Sequence, residues 1–150
     1  MPTFLRTVVR YETHLWNHLD ARLRGGGAVS LATLSALDVV HEHTTSRVQE
    51  VSVDLGITVG AASKLVDRLE HAGLAERRAN PLDRRSSLVV LTPAGRAAHA
   101  DAVALLDAAL AEHLGGEDVG PVEAVLGRLL HRLTTPTSAA SATATTVAGR

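Results

Sequence analysis

The side chains with most chemical reach gather between positions 58 and 85: Thr58, Ser63, Lys64 and Arg68, then Arg78, Asp83, Arg84 and Arg85. Guanidinium groups grip phosphate as a planar fork, an ammonium binds it as a point charge, and hydroxyls donate to phosphates or base edges. Asp83 stands two residues before Arg85. Catalytic chemistry is not indicated. The acids are scattered, no glycine-rich loop follows a strand, and no Ser/His/Asp or Cys/His grouping has a supporting motif.

The elements needed to hold these groups are written around them. Gly56 suits the left-handed residue that stops a helix, and Thr58 suits the cap of the next. Ala62, Leu65, Val66 and Leu69 then recur at helical spacing and predict one buried face, with Ser63, Lys64, Asp67 and Arg68 on the other. Gly73 ends that helix. Leu74–Arg78 and Ser87–Leu91 read as strands around the turn Asn80-Pro81-Leu82-Asp83. A helix-turn-helix followed by a basic hairpin is a winged DNA-binding unit, which implies a DNA-binding regulator. The capped helix would lie in the major groove, its N-terminal residues nearest the bases. Thr58 and Ser63 could donate there, and Lys64 could reach a phosphate or a guanine edge. Ala61 and Ala62, also expected at the DNA, are small like Gly60, so hydrogen-bonded readout is sparse. Ala61 could touch a thymine methyl, and DNA shape would carry more of the specificity.

The flanks read as helices. Leu5, Val8, Leu15, Trp16, Leu19 and Leu23 predict a first helix over 4–23, followed by a break at Arg24-Gly25-Gly26-Gly27. Ser30 caps a second helix through Leu31, Leu34, Leu37 and Val40. A third holds Val48, Val51 and Leu55, with Ser46 and Gln49 at capping-box spacing. Thr92 and Pro93 open a fifth that ends near His113 and Gly115-Gly116. Val122, Val125, Leu126, Leu129, Leu130 and Leu133 make a sixth. The expected fold is mainly α with a small β-hairpin: a winged helix-turn-helix core at about 30–92, flanked by long helices at 3–24 and 93–133. Together they make one domain over 1–133. Residues 134–150, rich in Thr, Ala and Ser, are expected to be a disordered tail.

Composition agrees. The chain has 150 residues, 45% hydrophobic but only 2% aromatic, so Leu, Val and Ala must build the core. It has no cysteine, which excludes disulfides and thiol switches. No signal peptide or long apolar span is evident, so a cytoplasmic protein with no membrane partner is expected. The net charge of −1 hides a segregation. Lys64, Arg68, Arg77, Arg78, Arg84, Arg85 and Arg96 outnumber Asp67, Glu70, Glu76 and Asp83, whereas acids prevail from 97 to 133. A local phosphate-binding face is the implied footprint.

The segment LVDRLEHAGLAERRANPLDRRSSLVVLTPAG resembles the central signature of the MarR-type winged-helix repressors. Four elements carry the resemblance: Leu65-Val66-Asp67-Arg68-Leu69, Gly73-Leu74, Asp83-Arg84-Arg85, and Leu91-Thr92-Pro93-Ala94-Gly95. It implies a homodimer interlocked through the N- and C-terminal helices, binding a near-palindromic double-stranded DNA operator. Half-sites would lie about one helical turn, roughly 10 bp, apart. It also implies that Asp83 orders the wing while Arg85 enters the minor groove, with Arg84 and Arg78 on phosphates. Arg68 would touch the DNA backbone or bridge to an acid within the domain. A small-molecule effector would bind a crevice lined by the first, second and fifth helices, which carry His14, Trp16, His18 and His41. Trp16 also fits a core or dimer-interface anchor. No cofactor is implied. The eight histidines leave a metal-responsive regulator as one alternative, although His14 and His18 lack further ligands in view. A low-specificity architectural DNA-binding protein is the other.

Overall fold

The computed structural model describes residues 2–83 and 86–135. Its elements run α1 (Thr3–Gly25), α2 (Leu31–Glu42), α3 (Val48–Asp54), α4 (Val59–His71), β1 (Ala75–Ala79), β2 (Ser87–Leu91), α5 (Pro93–Leu114) and α6 (Gly120–Thr134). The chain divides after Leu114: α1 to α5 and the hairpin form one compact unit, and α6 lies in a second.

Two apolar clusters organise the first unit. One gathers Leu37 and Val40 of α2, Val51 of α3, Ala62, Leu65, Val66 and Leu69 of α4, and Val89 and Leu91 of β2. These are the positions the helical and alternating periods select, and Val66 and Val51 are wholly buried. Each buried Leu or Val contributes about 1.5–3 kcal/mol by leaving water. The second cluster joins Leu19 and Leu23 of α1 to Leu31 and Leu34 of α2 and Ala102 and Ala109 of α5. Asp20 staples this corner: one carboxylate oxygen accepts the Leu31 N–H at 2.8 Å, the other the Arg24 guanidinium at 2.7 Å. The Leu31 bond, seconded by Arg24, holds the Asp20 carboxyl below its usual range.

The caps follow the sequence with three corrections. Ser30 Oγ accepts the Thr33 N–H, and Gly56 and Gly73 take positive φ of 62° and 70°. The first helix, however, runs two residues into the expected glycine break. Arg24 pairs with Asp20 one turn back, Gly26 is the C-cap, and Gly27 turns left-handed at φ 77°. The capping pair of α3 is one residue later than Ser46 and Gln49: Glu50 accepts the Arg47 N–H at 2.6 Å. Ser46 is unavailable because its backbone pairs with Val89 in both directions, at 3.0 and 2.7 Å. Thr134, read as the start of the tail, closes α6 and donates its hydroxyl to the Leu130 carbonyl. The remainder of that tail, 136–150, lies outside the described residues. No helix among the described residues is long and apolar enough to cross a membrane.

β1 and β2 pair antiparallel, Ala75 opposite Leu91 and Ala79 opposite Ser87. Ser46 adds a one-residue bridge along the free side of β2. Asn80 fixes the turn. Its Oδ1 accepts the Leu82 N–H, its Nδ2 donates to Ser86 Oγ, and the residue is only 3% exposed.

Candidate nucleic-acid interface

α4 forms the centre of the site. Its N-cap Thr58 accepts the Ala61 N–H through Oγ1 at 3.2 Å, so the helix begins where the sequence places it. Thr58, Ala61, Lys64 and Arg68 are exposed and Ser63 is half-buried. Ala62 is a correction among the expected contacts. It is 0% exposed and sits in the core with Val66 and Leu69, so no partner can reach it. Arg68 donates from Nε to the Lys64 carbonyl at 3.2 Å.

The acid-bridging role falls instead to Arg77 of β1, which the sequence reading passed over. Its Nη2 meets Asp67 at 2.7 Å, its Nη1 pairs with Glu70, and its backbone N–H donates to Glu70 at 2.9 Å. The hairpin is thereby pinned to the exposed flank of α4. Arg77 offsets one of the two negative charges of Asp67 and Glu70, so that with Lys64 and Arg68 the group is net positive. A basic residue on the inward face of the first wing strand, seven and ten positions after two acids of the preceding helix, was the available signal.

The strands' opposite face carries Glu76 and Arg78, paired at 2.5 Å. Beside it lies a cavity of about 320 Å³ lined by Val40, His41, Thr44, Thr45, Arg78, Val90, Leu91 and Arg96. Arg96 is anchored by a bond from Nη1 to the Leu91 carbonyl, and Thr44 holds a positive φ of 61°. That backbone is strained for a β-branched residue. His41 stacks on His99 with ring centroids 4.4 Å apart, and His99 reaches Asp38 at 2.9 Å. His14, Trp16 and His18, expected to share a pocket with His41, do not line this cavity. All three are exposed on α1, where the His18 ring lies 5.7 Å from that of His113. Among the described residues no group of three or more His, Asp or Glu is arranged to hold a metal ion.

Asp83 caps the hairpin tip, its N–H donating to Asn80 and its carbonyl accepting from Ser86. Arg84 and Arg85 lie outside the described residues.

These features define the class: a winged helix-turn-helix protein, with one capped helix exposed on its polar face and a basic hairpin clamped beside it. A family model described as the MarR family matches residues 29–86. The uncharacterized HTH-type transcriptional regulator YfiV of Bacillus subtilis (strain 168) is 31% identical over 64 residues, 43% of this chain and 40% of that protein. The chain thus matches about two fifths of that relative's length. Among solved structures, the transcriptional regulator BldR from Sulfolobus solfataricus superposes with a TM-score of 0.79 at 25% identity. That match covers 86% of this chain and 93% of BldR. CouR from Rhodococcus jostii RHA1, bound to p-coumaroyl-CoA, gives 0.77 at 26% identity, covering 90% and 94%. A mutant MarR from E. coli, complexed with operator DNA, gives 0.74 at 26% identity, covering 83% and 91%. Residues 29–86 thus match a MarR family model, and the fold is similar to that of MarR-type transcriptional regulators of known structure.

Proposed function

We propose that this protein is a dimeric repressor that binds a near-palindromic operator, with α4 in the major groove and the wing in the minor groove. The observation that carries the reading is the Arg77 clamp. It locks the hairpin to α4 and leaves Lys64 and Arg68 as the exposed cations of a helix whose first turn holds no acid. The fold is shared with a MarR structure complexed with operator DNA. Asp83 stands at the tip of the clamped wing, two residues before Arg85 in sequence. Dimerisation is supported by apolar side chains left open to solvent: Phe4, Leu5 and Trp16 of α1, and Val122, Leu126 and Leu130 of α6. Exposed apolar surface of that extent marks an association site.

The effector, in this reading, is a small anion with an apolar body that enters the cavity beside His41. Arg78 and Arg96 offer guanidinium forks there, Thr44 and Thr45 hydroxyls, and Val40, Val90 and Leu91 an apolar floor. CouR, which shares the fold, was solved with p-coumaroyl-CoA bound. Occupation would draw Arg78 from Glu76 and disturb the hairpin that carries the wing.

The test is Arg85→Ala, measured by fluorescence anisotropy on a duplex recovered by in-vitro selection. Loss of a minor-groove guanidinium should weaken binding by about 1–3 kcal/mol without altering the circular dichroism spectrum. Equal affinity for wild type and variant would remove the wing from the interface.

A further inference from the structure

The turn that leaves α2 holds two unfavourable features within three residues. The His43 carbonyl accepts the Thr45 N–H at 2.6 Å across Thr44, whose φ is 61°. That is the tight three-residue turn of positive φ, a strained form and more so for a β-branched side chain. Ser46, two residues on, is 0% exposed, and its hydroxyl has no hydrogen-bond partner among the described residues. A strained φ and a buried unpaired hydroxyl each persist only where neighbours over-determine them.

Two ties supply that constraint. His43 Nε2 lies 2.8 Å from Asp54 Oδ2 of α3, which fixes the start of the turn. Ser46 exchanges both backbone bonds with Val89, which fixes its end. Val89 in turn pairs with Arg77 across the hairpin, and Arg77 grips α4. The strained turn is thus one end of a line of bonds that runs through β2 and β1 to the candidate DNA-binding helix. The cavity sits astride this line: Thr44 and Thr45 line it just before Ser46, Val90 and Leu91 just after Val89. An occupant therefore touches both segments that the Ser46–Val89 bridge holds together.

We infer that residues 43–46 form a strained latch on the wing, and that an anion entering the cavity springs it. Contact with the Thr44 and Thr45 hydroxyls on one side, and with Val90 and Leu91 on the other, favours a wider cavity. The turn then relaxes, the Ser46–Val89 bonds part, and the Ser46 hydroxyl reaches water. β2 loses its tie to the start of α3, and the wing leaves its place beside α4. Relief at Thr44 and Ser46 offsets part of the loss of two backbone bonds, which makes this bridge the place that opens. The inference rests on the effector reading of the cavity and adds how that site is coupled to the wing.

The experiment follows hydrogen exchange of the Ser46 and Val89 amides, the two donors of the bridge, in the full chain by NMR. Thr44→Gly keeps the turn and removes its strain, so both amides should exchange about fivefold more slowly than in wild type. Ser46→Ala removes the unpaired hydroxyl and should slow them to a similar extent. Thr44→Val keeps the branched Cβ and should match wild type. Benzoate serves as the probe anion with an apolar body. It should speed both amides in wild type, and Thr44→Gly should need severalfold more of it to release a selected duplex. Equal or faster exchange in Thr44→Gly would overturn the latch, whatever benzoate does. Slower exchange in Thr44→Gly, with wild type unresponsive to benzoate, would instead overturn the effector reading of the cavity and with it the trigger.

Discussion

Asp20 illustrates how much one side chain contributes to this fold. It bonds the first N–H of α2 and pairs with Arg24, joining two helices whose Leu19, Leu23, Leu31 and Leu34 share one apolar cluster. Its carboxyl is depressed below the ordinary 3.8, first by the Leu31 bond and then by Arg24. A depressed carboxyl stabilises the folded state above its unfolded pKa, and that stability is lost as pH falls through the folded value. Asp20→Asn should therefore cost about 1 kcal/mol at neutral pH. The gap from wild type should close as pH drops below about 4, as followed by urea unfolding across a pH series. A gap independent of pH would show that the charge is not what matters.

At the scale of the element, the junction between wing and α5 is the tightest point. Thr92 Oγ1 donates to the Gly73 carbonyl at 2.7 Å and accepts the Gly95 N–H at 3.0 Å, binding the end of α4 to the start of α5. A Cβ on Gly95 would lie 1.9 Å from the Leu74 carbonyl oxygen, so nothing larger fits without moving backbone. Gly95→Ala should destabilise by more than about 2 kcal/mol, seen as a lowered urea midpoint, whereas Gly60→Ala should not. This contrast also marks what was legible beforehand. The helix periods of α2 and α4, the caps Ser30 and Thr58, and the Asn80 turn are local signals, and the structure follows them. Two features depend on partners far along the chain: the Ser46–Val89 bridge and the Asp38–His99 bond. Neither has a period or a turn residue to announce it. Ala62 was ambiguous for the opposite reason, since it sits on the apolar stripe yet within the turn nearest a partner, and packing decided it.

For the whole molecule, the exposed apolar residues of α1 and α6 are the outstanding quantity. Val125, Leu126, Leu130 and Leu133 are each at least 43% exposed on a helix with no buried residue. Solvated monomers seldom present such a face. The protein is therefore expected to be a dimer at micromolar concentration by light scattering. Truncation after Leu114 should yield monomers with at least a hundredfold weaker operator binding, because one recognition helix then acts without its twin. Truncation after Thr135 should change neither property. A monomeric full-length chain with undiminished affinity would refute the dimer account.

The most direct measurement is in-vitro selection of bound duplexes from a random pool by the purified protein. An enriched near-palindrome is expected, with half-sites centred roughly 10 bp apart and bound at least a thousandfold more tightly than scrambled DNA. Enrichment without a two-fold motif, or equal affinity for selected and scrambled duplexes, would contradict the account of a dimeric, sequence-reading repressor.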